Sequence, residues 1–490
     1  MAILLRPALL ALERSETGFQ ADERPDVAMT GESKQLHRFV ADVDLDRLPA
    51  TVIARAKRHI LETVILALAG GSKEGVAEIR ALAKVEYAQG PSAVWGAGDR
   101  LQPSGAALVN SYAAAALDYD TLCNTVHGDV VIIPAVLAMA EARQATGRQL
   151  LEAYIAGIEV TARLSFSAQP PQRGWTHTSV FGVFGAAAAV ARLIGLPETR
   201  IGHATGIALS LAAGSQQSNV EKVLTKRLQP ALAARNGVFA ALAAEAGISG
   251  PQQSLEGRCG LWSLYQAGDP ALLLKDLGGD FRFLETILKG YPVCSCSHAA
   301  IVACLELIAI NALDPADISE VEVTVTPFMV HMVGGDFDPS RDPVVAAQFS
   351  IRYALACCIL RGGVSLADLD LAAICDPAIQ EWAARIQITV DPENDGELAP
   401  ARVRLKTRSK GVLERCVSVM PGSVEAPLSD AAFKGKLQDC VDRIPGFSEQ
   451  GGLVRLEEIV EAIDRSDQCT DLTGFLAAVG QSSNDFDQRP

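Results

Sequence analysis

The chain has 490 residues, 49% of them hydrophobic and 21% charged, with a formal net charge of −15. That length admits two or three domains of about 150 residues each, with a large core that needs neither metal nor disulfide support. The acidic balance excludes the basic footprint of a nucleic-acid binder, and no run approaches the roughly 18 apolar residues of a membrane span.

The N-terminus is apolar but interrupted by Arg6-Pro7, and it turns acidic by Glu13 without a small-residue cleavage site. It does not read as a secretory signal. Residues 1–34 are expected to be a flexible extension. From Leu48 the pattern is helical: Ile53, Ala56, Ile60, Leu61, Val64 and Leu68 share one face, and Gly70-Gly71 ends the run. Similar stretches recur at 104–117, 134–146, 149–166, 182–194, 200–213 and 231–246. No alternating β run of any length stands before about residue 315. Aromatics make up only 5% of the chain, so the core relies on small aliphatic side chains that let helices pack closely.

After Pro270 the texture changes. Glu320–Pro327 alternates, with Val321, Val323 and Val325 on one face, and predicts a half-buried strand. A helix is expected over 344–360, then strands at 386–390, 403–406 and 413–419. The spacing suggests an antiparallel sheet with helices on one face. The tail from 429 to 479 returns to helical periodicity and is placed to pack back on the first half. The expected fold class is mainly α with an α+β insertion. Its parts are an all-helical domain at 35–268, an α+β lid domain at 269–420, and C-terminal helices at 421–490 that return to the first domain.

Four clusters carry chemistry. Asp118-Tyr119-Asp120-Thr121, then His127, gathers acidic, hydroxyl and imidazole groups where one apolar segment ends and another begins. His127 is the group whose ordinary pKa lies nearest neutrality. Arg173–Ser179 feeds a helix of very small residues. It is either a capped surface helix, with Thr178 or Ser179 as cap, or a helix N-terminus that receives a carboxylate. Lys226 and Arg227 precede a strongly apolar helix, as a solvated turn or as an anion clamp. Lys289, Tyr291, Cys294 and His298 meet at an expected domain junction. Cys294 with His298 is readable as a nucleophile–base pair, but nothing supplies an orienting third group. Cys294-x-Cys296 is too tight for a zinc knuckle, and the scattered cysteines fit reduced thiols in a cytoplasmic setting. There is no phosphate loop, H-E-x-x-H or G-x-S-x-G.

The order of these clusters resembles the MmgE/PrpD family, which includes 2-methylcitrate dehydratases, cis-aconitate decarboxylases and iminodisuccinate epimerases. The likeness runs from about Leu36 to residue 465. It rests on Leu117–Asp120 with His127 and Pro134–Ala138, on Gly174–Ala187, Thr225–Gly237, Lys289–Cys294 and Ala347–Ala356, and on Pro421–Pro427. The resemblance implies a homodimer with no metal or organic cofactor, and a site in the cleft between the domains. It implies proton transfer beside a carboxylate of a small di- or tricarboxylic acid. Asp118, Thr121, His127, Lys226 and Lys289 fall on pocket positions. Lys226 and Lys289 would bind carboxylates, His127 would move a proton, and Asp118 would orient its neighbours. Arg227 and Tyr291 complete the expected binding set.

Two departures stand out. Thr176 occupies the position of a family histidine, and His177 follows one place later; in an extended loop His177 would point away from the site, whereas a small shift of the loop would restore its catalytic role and leave Thr176 to bind substrate. His331 takes a lid position where decarboxylase relatives carry tyrosine, either as a replacement acid or as a strand-end polar residue. The leading expectation is a cofactor-independent hydro-lyase of the 2-methylcitrate dehydratase type. The alternatives are a dicarboxylate epimerase or isomerase, a cis-aconitate-type decarboxylase, and a catalytically silent binding relative, which Thr176 would favour.

Overall fold

The computed structural model describes residues 31–340, 342–444, 450–468 and 472, the side chains of 450–456 excepted. Most of the expected N-terminal extension, residues 1–30, lies outside them.

The first half is built of long helices, and its centre is His177–Leu193. This helix packs between Gly147–Ser167 and Thr225–Glu245. Small residues make the close approach possible. A Cβ added at Gly157 would sit 2.5 Å from the Gly185 carbonyl oxygen, and one at Gly185 would sit 2.6 Å from that of Gly157. The two backbones therefore touch directly, which only glycine permits. The expected helices are all present. Two more, Glu32–Asp42 and Val76–Glu86, go beyond the expected set. Three starts are earlier than expected: the 134–146 helix begins at Asp129, the 182–194 helix at His177, and the 231–246 helix at Thr225. Lys226 thus lies in a first helical turn rather than in a solvated loop. A small hairpin, β1 (Gln89–Ala93) with β2 (Arg100–Leu101), also lies in this half; its strands carry no apolar alternation, so the pattern did not reveal it.

The second half carries a four-stranded sheet of β3 (Ile318–Val325), β4 (Ile386–Val390), β5 (Ala401–Thr407) and β6 (Gly411–Val417), in the order β4-β3-β5-β6. It is mixed, not antiparallel: β3 and β4 run parallel. The reason is the connection between them, a crossover through several helices of the kind parallel neighbours require. Alternation sets the faces. Val403 and Leu405 of β5 are buried, while Arg404 and Lys406 pair across the exposed face with Glu322 at 3.2 Å and Glu320 at 2.7 Å. Helix His298–Asn311 packs on β5 and β6.

The helix expected over 344–360 is two helices, Pro343–Gln348 and Ile351–Arg361. Ser350 breaks it by capping the second: its hydroxyl accepts from the Tyr353 N–H at 3.2 Å. The break leaves Phe349 on the wall of the cavity described below. The tail helices Asp430–Val441 and Gln450–Asp464 pack on Ala50–Gly70. The expected tail beyond 472 lies outside the described residues. Among those residues no helix is long and apolar enough to cross a membrane.

Candidate active site

Helix Pro103–Ala114 runs out into a turn that places Asp118 in the left-handed region at φ 51. Aspartate tolerates this conformation better than most residues, and such positions concentrate at functional sites. Two lysines hold the turn. Lys289 donates to the Asp118 carbonyl oxygen at 2.7 Å and lies 3.3 Å from Oδ2. Lys226 donates to Oδ1. Burial alone would raise the Asp118 carboxyl, but Lys226 and Lys289 outweigh it and hold the carboxyl below its usual range. Burial works against the Lys289 ammonium too, yet Asp118 and Asp120 raise its pKa above normal. Lys289 is therefore a fixed positive charge and not a base.

His127 stands across from this clamp. Its Nδ1 lies 2.7 Å from the Thr121 carbonyl oxygen and 2.9 Å from Asp120 Oδ2. Both neighbours are acceptors, so Nδ1 carries a proton and Nε2 is the atom free for exchange. The Asp120 carboxyl is buried, which would raise it; His127, Lys289 and Lys226 bring it well below the usual range. The Thr121 hydroxyl turns the other way. It donates to Asp129 Oδ2 at 2.5 Å, and Asp129 also accepts from Tyr154 at 2.6 Å. His59 Nδ1 lies 3.1 Å from the same carboxylate. Thr121 thus supports His127 through its backbone carbonyl.

Thr176 and His177 both reach the site. The segment is not extended there: Thr176 is the N-cap position and His177 the first residue of the central helix. Neither Thr178 nor Ser179 caps it. The Thr178 hydroxyl instead accepts from the His127 N–H at 3.0 Å. His177 stacks on Phe181 with ring centroids 4.6 Å apart, and its Nδ1 lies 2.9 Å from Thr125 Oγ1. Burial lowers its pKa, with Gln266 offsetting part of the effect. His177 Nε2 and Thr176 Oγ1 are buried with no hydrogen bond of normal geometry.

These groups surround a cavity of about 450 Å³, within the usual range for a small-molecule site. Asp118, Asp120, His127, Lys226 and Lys289 line one side, Thr176 and His177 another, and His331 and Glu397 face them from the sheet-bearing half. Three expected residues lie off the cavity. Thr121 faces Asp129. Arg227 is buried against the Glu74 carbonyl and Gln348, each at 3.4 Å. Tyr291 packs edge-on to His298 at 5.4 Å, and burial pushes its phenol up to about 12. The Cys294–His298 pair does not form a nucleophile–base couple. His298 Nε2 lies 3.2 Å from the Val293 carbonyl oxygen, and burial lowers its pKa to about 3. Cys294 is lowered chiefly by a hydrogen bond with Cys296.

Several groups escaped the sequence reading, among them Gln348, Lys436, Glu397 and Lys222. Gln348 donates to the Leu117 carbonyl at 2.9 Å, just before Asp118. Lys436, fully buried, donates to Glu62 at 2.6 Å, to the Tyr119 carbonyl at 2.7 Å and to the Lys289 carbonyl at 3.0 Å. It braces the backbone behind both halves of the clamp. Glu397 and Lys222 line the cavity. The Ala347–Ala356 segment was a signal for Gln348; the other three lie in no cluster that the sequence singled out. Among the described residues no group of three or more His, Cys, Asp or Glu is placed to hold a metal ion.

Residues 34–272 match the MmgE/PrpD N-terminal domain, and residues 291–461 match the MmgE/PrpD C-terminal domain. The chain is 27% identical to the cis-aconitate decarboxylase of Homo sapiens, over 87% of this chain and 90% of that protein. It is 29% identical to the cis-aconitate decarboxylase of Mus musculus, over 89% and 92%. With the cis-aconitate decarboxylase of Aspergillus terreus it shares 24% identity, over 92% and 96%.

Proposed function

The chain belongs to the MmgE/PrpD family, and from that premise we propose that it is a lyase acting on a small di- or tricarboxylic acid, with decarboxylation of a cis-aconitate-like substrate as its reaction. The observation that carries this reading is the arrangement of His127 beside the Asp118–Lys226–Lys289 clamp. One imidazole nitrogen is held by Asp120 and Thr121, and the other is left for proton exchange next to two cations.

The chemistry follows from those groups. A carboxylate on the saturated arm of the substrate leaves as carbon dioxide. The pair from the broken C–C bond forms a new double bond, and the original double bond shifts its electrons to the carbon beside a remaining carboxylate. Lys226 and Lys289 stabilise that developing charge, and His127 supplies one proton to the carbon. We take the sheet-bearing part, residues 269–420, as the lid that closes over the cavity and brings His331 to it. The homodimer and the cytoplasmic setting belong to the same proposal; the ten described cysteines are free thiols.

A hydro-lyase is the second reading. In the neutral ring Nδ1 keeps its proton, so Nε2 is an acceptor and can remove a proton beside a carboxylate before water leaves. Proton NMR in D₂O with cis-aconitate, citrate, 2-methylcitrate and an iminodisuccinate-type substrate separates the readings. Itaconate from cis-aconitate supports decarboxylation. New vinyl signals from citrate or 2-methylcitrate mean elimination. Deuterium uptake without other change means epimerisation. No turnover at all turns the reading toward a silent relative.

A further inference from the structure

The charges at the reacting end of the cavity cancel. Asp118 and Asp120 are two carboxylates held in the ionised form, and Lys226 and Lys289 are the two lysines facing them. Even with the proton that His127 passes to the substrate counted, this cluster has one positive charge to spare, whereas a polycarboxylate substrate carries two or three negative charges. A buried anion needs a cation or several hydrogen bonds. The surplus must come from elsewhere in the wall.

Of the three lysines that line the cavity, Lys226 and Lys289 are paired with Asp118. Lys222 has no carboxylate partner among the described residues. It stands one turn before the helix that carries Lys226, in the left-handed region at φ 53. A lysine there lacks the local hydrogen bonds that make the conformation tolerable for Asp or Asn. Such a backbone is retained where the surroundings impose it. Asn219, three residues earlier, also lines the cavity, and its Oδ1 is buried without a partner while Nδ2 donates to Gln216 Oε1 at 2.5 Å. Turning both amides over keeps that bond and presents the Asn219 N–H₂ to a ligand. Glu397 is the remaining carboxyl on the wall, and burial raises its pKa, which favours its uncharged form beside an anion.

We propose that Lys222, with Asn219 beside it, binds a substrate carboxylate that takes no part in bond breaking, and so selects substrates with a second, remote carboxylate. This rests on the polycarboxylate reading of the site and adds to it. The reacting carboxylate lies at the His127 clamp, and the remote one lies at Lys222. A monocarboxylate would leave the Lys222 end empty.

Lys222→Met removes the charge and keeps most of the side-chain volume. With the full chain, turnover of cis-aconitate is followed by NMR, and citrate binding by calorimetry. Removing a charge-assisted hydrogen bond at a half-buried site predicts about a tenfold to hundredfold rise in KM and in the citrate Kd, with kcat changed far less. Lys222→Arg should recover most of the affinity. Asn219→Asp, which places a negative charge at the same spot, should weaken binding without any change at Lys222. Crotonate, a monocarboxylate probe, should bind wild type and Lys222→Met alike. If wild type is active and Lys222→Met has unchanged KM and Kd, the Lys222 assignment is wrong and the site reading stands. If wild type neither binds citrate nor turns over any polycarboxylate, the site reading falls and this inference falls with it.

Discussion

Lys436 and Glu62 meet at 2.6 Å with neither side chain exposed to solvent. One comes from the C-terminal helix Asp430–Val441 and the other from Ala50–Gly70. The same ammonium also holds the carbonyls of Tyr119 and Lys289, so a single buried charge joins the two ends of the chain to the back of the site.

Lys436→Met should therefore be costly. It leaves Glu62 buried without its cation, and removing one partner of a buried pair costs about 3–5 kcal/mol. Adding Glu62→Leu should recover much of the stability. It should not restore kcat, because the Tyr119 and Lys289 carbonyls still lack their donor. Denaturant midpoints and kcat of the single and double variants measure the two effects separately; full recovery of kcat in the double variant would rule out the bracing role.

His127→Gln should lower kcat by about 10²–10⁴, the usual range for a positioned acid or base. KM should change little. Asp120→Asn should reduce kcat by a smaller factor, since the Thr121 carbonyl still orients the ring. Steady-state kinetics on the active substrate tests the order; equal reductions would mean that Asp120 does more than fix the tautomer.

The Thr176 hydroxyl is buried without a partner, in a residue that lines the cavity. Thr176→Val keeps its shape and removes that unsatisfied group. Stability should hold or rise slightly. If the hydroxyl bonds to substrate, KM should rise about threefold to tenfold, the value of one neutral hydrogen bond. Thermal unfolding and KM together decide this; an unchanged KM would leave Thr176 with no part in binding.

Acid should destabilise the fold before the carboxylates titrate. Burial lowers His37 to about 4, with His203 adding to the effect, and burial lowers His298 to about 3. In the unfolded chain both rings titrate near pH 6.5. Below that pH the unfolded chain takes up protons that the native state refuses. The stability these two rings contribute is complete above about pH 6.5 and is lost as pH falls toward 4, at about 1.4 kcal/mol per pH unit for each ring. Urea unfolding at pH 7, 6 and 5 checks the slope, and His37→Gln should remove its share. A flat profile would contradict the assignment.

Periodicity carried most of the helical half, because helices that bury one face record it in the spacing of their apolar residues. It failed where tertiary packing set the outcome. The direction of β4 depends on a crossover connection and not on the strand's own residues. The break at Phe349–Ser350 is a cap inside an otherwise continuous apolar pattern. The site was legible where its groups are close in sequence: Asp118, Asp120 and His127 fall within ten residues. Thr121 and Arg227 share that polar signature, yet their side chains are turned to partners off the cavity. Polar residue type reveals that a group must be satisfied, but not on which side. Lys436 was invisible for the opposite reason. It is one lysine in an ordinary-looking helix, and its partners lie 147 to 374 residues away.

That separation also sets the order in which the protein can be completed during synthesis. A nascent chain that has emerged through the sheet-bearing half already contains His127, Lys226 and Lys289. It still lacks the lysine that neutralises Glu62, and that carboxylate must stay hydrated or take up a proton until residue 436 arrives. The buried ammonium is thus a late-arriving keystone: Glu62 and the Tyr119 and Lys289 carbonyls gain their shared donor only once residue 436 has left the ribosome.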